Sequence, residues 1–187
     1  MQKIYDLTII TPKLKARLDN WASDNSGMAA VEFALIATPF FLLLFGLIEI
    51  SLIFIVSTTL EHGLTEASRQ IRTGSFQQNP GSSLASFKQD VCDELFDLLD
   101  CPGGLILDIT TFSNFSSTAR PSRIDSDGEF SAEDEQFSPG SRNDIVLIRA
   151  YYEWELITPI ISAPLSNLAN GNLLIESGIA FRNEPFS

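Results

Sequence analysis

The chain has 187 residues, 44% of them hydrophobic, with a formal net charge of −12 at pH 7 and two cysteines. That length allows one modest domain plus a membrane segment. The acidity lies mostly beyond residue 58, where 8 basic groups face 19 acidic ones, and this argues against nucleic acid, whose phosphates need a basic face.

The first 27 residues look like a cytoplasmic leader. Lys13, Lys15 and Arg17 stand shortly before a long apolar run, and the positive-inside rule places them in the cytoplasm. Asp19 and Asp24 lie nearer the run, but acidic groups count little in that rule. Leu14 to Trp21 has a helical pattern suited to the membrane surface, and no fold is assigned to it. The part after the run is then periplasmic or extracellular. A secretory signal peptide is the competing reading. Its apolar core is shorter and is closed by a small-residue cleavage site, and nothing like A-x-A closes this run.

Phe33 to Ile48 contains no charge, Glu49 interrupts the run, and Ile50 to Val56 resumes it. As a helix, about 24 residues span about 36 Å, against about 30 Å for the hydrocarbon core of a bilayer. A buried helix of a soluble domain would be shorter and would carry a polar stripe. Residues 28–58 are therefore predicted to be a transmembrane helix. Pro39 removes one backbone bond and bends it, which a span tolerates. Glu49 within the span costs at least about 2.5 kcal/mol if central, so it needs a partner or a water route. Snorkelling to the outer interface is the simpler fate. Gly46, Glu49 and Ile53 share a helix face, and Gly46 allows close approach of another helix. This face is expected to dock a partner span.

The helix is predicted to continue past the membrane. Ser57 to Arg72 lacks proline, and Gly74 supplies a stop. Leu60, Leu64, Ala67 and Ile71 recur at helical spacing, so the outer half should pack on a domain, residues 59–187. Gln77 to Ser83 reads as a loop, with Ser82 or Ser83 capping a second helix. Leu84, Phe87, Val91, Leu95, Leu98 and Leu99 form its apolar stripe. Its charged side is expected to be solvated.

Cys92 and Cys101 are an even count in a part expected to be oxidised, which predicts a disulfide. Helical residues nine apart lie about 13.5 Å apart along the axis, and a disulfide needs Cα atoms within about 7 Å. The helix should then end near Asp97 to Leu99, in advance of Pro102-Gly103-Gly104. Two buried free thiols are the alternative.

Three strands follow. Leu105, Leu107 and Ile109 alternate with Ile106, Asp108 and Thr110. Val146, Ile148, Ala150, Tyr152, Trp154 and Leu156 share one face of the second strand and should be buried. Leu173, Ile175, Ile179 and Phe181 mark the third. Period-two patterning with one polar face suits an antiparallel sheet covered on one side by helices. The fold class is α+β: a single N-terminal transmembrane helix extended as a spine, a second helix and a three-stranded antiparallel sheet. Residues 113–143 are rich in Ser, Asn, Pro and Gly and should form a mobile acidic surface loop. Asp125-Ser126-Asp127-Gly128-Glu129 has alternating oxygens but lacks the EF-hand order, so solvation is preferred to calcium binding.

Catalytic chemistry finds little support. The single histidine, His62, sits just past the span, where a surface role suits it. No G-x-S-x-G, zinc spacing, Walker loop or G-x-G-x-x-G occurs. No enzyme activity, metal or cofactor is expected.

Gly27, Glu32 and Phe33 stand as in the G-x-x-x-x-E-[FY] processing site of Flp-type prepilins. The string Ala30 to Leu35, then Pro39, then Leu44 to Glu49, resembles the TadE-like family of pseudopilins, minor components of bacterial tight-adherence (Tad/Flp) pilus machinery. The pair Cys92 and Cys101 and the C-terminal Phe181-Arg182-Asn183-Glu184-Pro185 also resemble that family. The resemblance implies a pilin-like fold and a pseudopilin of the inner membrane that helps start or stabilise a pilus. Its implied partners are a prepilin peptidase, a second pseudopilin, the major Flp pilin and the inner-membrane platform proteins. The implied cleavage lies between Gly27 and Met28, making Glu32 the fifth residue of the mature chain. There its carboxylate is near a helix N-terminus and can pair with a neighbour's free α-amino group. The blander reading makes Gly27 a plain loop residue and Glu32 a cap at the membrane surface. At the level of function, the alternative is a membrane-anchored periplasmic scaffold or binding module that is never cleaved.

Overall fold

The computed structural model describes residues 27–96, 99–101, 103–118, 122–132, 135–158 and 161–186. The leader, with Lys13, Lys15, Arg17 and the segment Leu14 to Trp21, lies outside the described residues, as does Leu98. By packing, the chain divides into residues 1–44 and residues 45–187.

Helix α1 runs Met28–Thr73. Among the described residues it is the one helix long and apolar enough to cross a membrane. Within the first unit its side chains are almost all exposed: Phe33 by 70%, Ile36 by 72% and Leu43 by 62%. Surface of that kind has no place in water over such a length, which suits a lipid environment. Pro39 lies inside the helix without ending it. One residue before it, the Thr38 hydroxyl donates to the Ala34 carbonyl at 2.7 Å.

The second unit is an α+β domain built on the rest of α1. Val56, Leu60, Leu64, Ala67 and Ile71 are buried, so the helical spacing in the sequence does mark the core face. Gly74 ends the helix at φ +80°, a conformation that side chains resist. The Phe186 ring lies where a Cβ at Gly74 would project. A single turn, α2 (Ser75–Gln78), follows, and then α3 (Leu84–Asp93). Ser83 caps α3 with a reciprocal box: its hydroxyl accepts from the Ser86 N–H, and the Ser86 hydroxyl accepts from the Ser83 N–H. Phe87, Val91, Leu95 and Leu99 are buried against α1 and the sheet.

The predicted end of α3 needs correcting. The helix stops at Asp93, four residues before Asp97. Phe96 then takes a left-handed conformation, φ 53°, and the chain doubles back early. Cys92 and Cys101 are bonded, with Cα atoms 5.7 Å apart.

The sheet is antiparallel in the order β1 (Leu105–Phe112), β2 (Ile145–Trp154), β3 (Leu173–Arg182). Leu107 pairs with Ala150, and Ala150 with Ser177. Leu105, Leu107, Ile109, Val146, Ile148, Ala150 and Ile175 point into the core under α1 and α3. Tyr152 and Trp154 are only partly buried, and Leu156 lies beyond the strand.

The other sheet face is not left to solvent, contrary to the one-sided covering expected. A second small core joins Tyr151, Leu168 and Leu174 to Ile106, Ile124 and Phe130. Phe130 belongs to the acidic segment 113–143. That segment also lies along the open edge of β1: the Ile109 N–H donates to the Gln136 carbonyl and the Ser138 N–H to the Ile109 carbonyl, both at 2.8 Å. Glu135 accepts from the Leu107 N–H at 2.9 Å and pairs with Lys88 at 3.0 Å. Covering an open edge protects it from pairing with other chains. Period-two patterning could not show this, because the covering residues are scattered among polar ones.

Candidate functional site

Two places on α1 carry the residues singled out by the sequence. The first is its start. Gly27 stands immediately before the first residue of the helix, and Met28, Glu32 and Phe33 are exposed. Glu32 makes no ion pair among the described residues. A Cβ added at Gly27 would meet nothing within 4 Å. Gly27 is not among the glycines with positive φ either. Among the described residues, nothing therefore demands a glycine there.

The second place is Glu49. Its side chain is only 2% exposed. One carboxylate oxygen, Oε2, accepts from the Ile157 N–H at 3.1 Å, the Thr158 N–H at 2.9 Å and the Thr158 hydroxyl at 2.8 Å. Oε1 also accepts from the Ile157 N–H at 3.1 Å. Gly46, one turn earlier, is covered by Ile161, whose Cδ1 would overlap a Cβ at that position. A buried carboxylate is tolerable when such donors replace its water. Glu49 thus neither snorkels nor stands free: the face expected to receive a partner span is covered by the chain's own residues 157, 158 and 161. The donors come from the end of β2, 108 and 109 residues away. The one available signal was the apolar run after Glu155 in an otherwise acidic domain.

The C-terminal residues that carry part of the resemblance hold the domain closed. Asn183 is buried, donates from Nδ2 to the carbonyls of Pro139 and Ser141 at 3.0 Å each, and donates from its backbone N–H to the Asp144 carbonyl at 2.8 Å. The Glu184 N–H donates to the Arg72 carbonyl at the end of α1 at 2.8 Å. His62 is exposed on α1. Asp125, in the calcium-like string, accepts from the N–H groups of Asp127 and Glu129 at 2.9 Å each, which closes a tight turn.

On the outer sheet face, Arg149 donates to Glu176 from Nε at 2.8 Å. Both Arg149 and Arg123 lie over the Tyr151 ring, at 5.1 and 5.3 Å. Burial pushes the Tyr151 phenol up to about 12. These groups are locked to one another.

Residues 27–69 match the TadE-like protein family, the family the motif residues resemble. The match begins at Gly27 and covers α1 nearly to its end. It suggests involvement in the tight-adherence pilus system, with anchoring through the one apolar helix. No curated protein and no solved structure matches the chain.

Proposed function

We propose that this TadE-like chain is a minor pilin or pseudopilin that inserts into the bacterial inner membrane and takes part in assembly of a Tad/Flp pilus. Its N-terminus is cytoplasmic and its α+β domain periplasmic. A prepilin peptidase cuts between Gly27 and Met28. The observation that carries this reading is a coincidence at one junction: the family match starts at Gly27, α1 starts at Met28, and no described residue requires the glycine. A residue without a structural duty is free to serve an external enzyme, and glycine presents no side chain before the scissile bond. Glu32 and Phe33 stand exposed one turn into the helix, where a peptidase or a neighbouring subunit can meet them. Burying the Glu32 carboxylate against a neighbour's new α-amino group would offset the cost of burying either charge alone.

Partners on this reading are the peptidase, a second pseudopilin, the major pilin and the platform proteins. The test is N-terminal mapping in cells with and without the peptidase. The expected chain begins at Met28 only when the peptidase is present. A chain still carrying residues 1–27 in both strains, or a Gly27→Trp variant trimmed as usual, would overturn it and favour an uncleaved anchored scaffold.

A further inference from the structure

Exposed apolar side chains continue along α1 into the second unit: Ile48, Ile50, Phe54 and Ile55 are 47–67% exposed. The only charge between Phe45 and Thr59 is Glu49, and it is buried. If the hydrocarbon core is counted from Phe33, just after the exposed Glu32, about 20 residues carry it to Leu52. Glu49 then lies about one turn inside the outer boundary. Ile157 is hydrogen-bonded to it through its backbone, and its side chain is 69% exposed. Ile161 reaches Gly46, one turn deeper. Residues 157 and 158 thus sit at Glu49 and Ile161 at Gly46, beside a turn of α1 where Ile48 and Ile50 are exposed.

We propose that Ile157 and Ile161 form a second membrane contact: they enter the outer leaflet beside the span, with Ile157 seated on Glu49. The inference rests on α1 crossing the membrane. Irregular backbone at membrane depth is excluded unless its N–H groups find acceptors inside the protein. Glu49 supplies the acceptors for Ile157 and Thr158, and the Thr158 carbonyl accepts from the Ser162 N–H at 3.1 Å. The expensive carboxylate and the N–H groups of Ile157 and Thr158 therefore satisfy each other. The occupant is lipid because Ile157, held by its backbone to Glu49, stands exposed beside a turn of α1 on which Ile48 and Ile50 are exposed as well. The exposed carboxylates of Glu153 and Glu155 just upstream mark where the aqueous side begins.

The test is full-length protein, one copy per nanodisc of neutral phosphatidylcholine, with single cysteines carrying an environment-sensitive fluorophore. Ile157→Cys is the probe, Leu43→Cys reports the span, and Ser116→Cys reports the exposed domain surface. Lipids spin-labelled near the headgroup should quench and blue-shift position 157 relative to 116. Lipids labelled deep in the chain should quench position 43. Quenching at 43 with position 157 behaving like 116 would overturn the loop insertion alone. Absence of quenching at 43 would remove the membrane span and this proposal with it. Emission at 157 that is blue-shifted but insensitive to every lipid label would mean a protein contact and would also overturn it.

Discussion

Cys92 and Cys101 sit with their Cα atoms 5.7 Å apart although nine positions separate them in the chain. The bond closes the turn made by Phe96 at φ 53° and holds Leu95 and Leu99 down against α1. Leu95 also packs near Gly63, where a Cβ would stand 3.0 Å from its Cδ2 and 3.2 Å from the Val91 carbonyl oxygen. The crosslink thus secures a close approach of α3 to α1 at Gly63.

Removing the bond should therefore lower stability. A loop this short contributes about 2–3 kcal/mol through the unfolded state. Urea unfolding of the full chain in detergent should show a lower midpoint for Cys92→Ser/Cys101→Ser, and an equal loss when the parent is reduced. Unreduced, denatured parent protein should titrate no free thiol. Two titratable thiols would refute the pairing.

Tyr151 gives a second prediction. Its phenol oxygen is buried without a hydrogen-bond partner among the described residues, while its ring packs on Phe130 with centroids 5.6 Å apart. Phenylalanine keeps the ring and removes the orphan oxygen, so Tyr151→Phe should be neutral or stabilising by up to about 1 kcal/mol. Burial raises the phenol from the ordinary 10 to about 12, with Arg149 opposing and Glu176 adding to the rise. A raised acid is bound to its proton more tightly in the folded state. The stability it contributes is full below pH 10 and is lost as pH climbs toward 12. The variant should lose less stability than the parent over that interval. Identical alkaline profiles would contradict the assignment.

Asp90 on α3 has its pKa raised by burial first and by the neighbouring Asp93 second, against a hydrogen bond from Gln70 at 3.2 Å. The folded state then prefers the protonated acid, and the stability tied to it falls as pH rises through the carboxylate range. Asn at this position still accepts from Gln70 and no longer repels Asp93. Asp90→Asn should gain about 0.2–0.5 kcal/mol at pH 7, the scale of a like-charge pair on a helix. The gain should vanish at pH 3. A gain that persists unchanged at pH 3 would mean that charge is not its source.

The elements of this fold were legible because each repeats a simple pattern. Leu60, Leu64, Ala67 and Ile71 show the helical period, and Leu105, Leu107 and Ile109 show the strand period. The cap at Ser83 and the stop at Gly74 follow from local backbone chemistry. What the pattern could not carry was long-range. Phe130, Glu135 and Phe137 cover the sheet from a segment whose composition says only that it is polar. Glu49 was recognised as costly in an apolar run, but its donors lie on a distant turn. Buried backbone N–H groups have no signature in a sequence, so snorkelling and a partner span were the readings it offered, and the intrachain seat was not among them. The motif at Gly27 is of the opposite kind: it is local, and among the described residues no contact requires a glycine there.

The seat of Glu49 supplies the last prediction. Glu49→Leu leaves the N–H groups of Ile157 and Thr158, and the Thr158 hydroxyl, without the acceptor they now have. Each buried donor so abandoned costs about 1–3 kcal/mol. The stretch can escape that cost by lifting away from α1 into water, so the loss should appear as local opening more than as global unfolding. Hydrogen exchange in detergent should be slow at residues 157 and 158 in the parent and fast in Glu49→Leu. Glu49→Gln keeps one acceptor oxygen and should fall between. Amides in β1 and in β2 around Ile148 should change little, because Leu107 and Ile148 are fully buried in a core of their own neighbours. Equal exchange at 157 and 158 in all three proteins would show that the carboxylate does not hold this stretch to the helix.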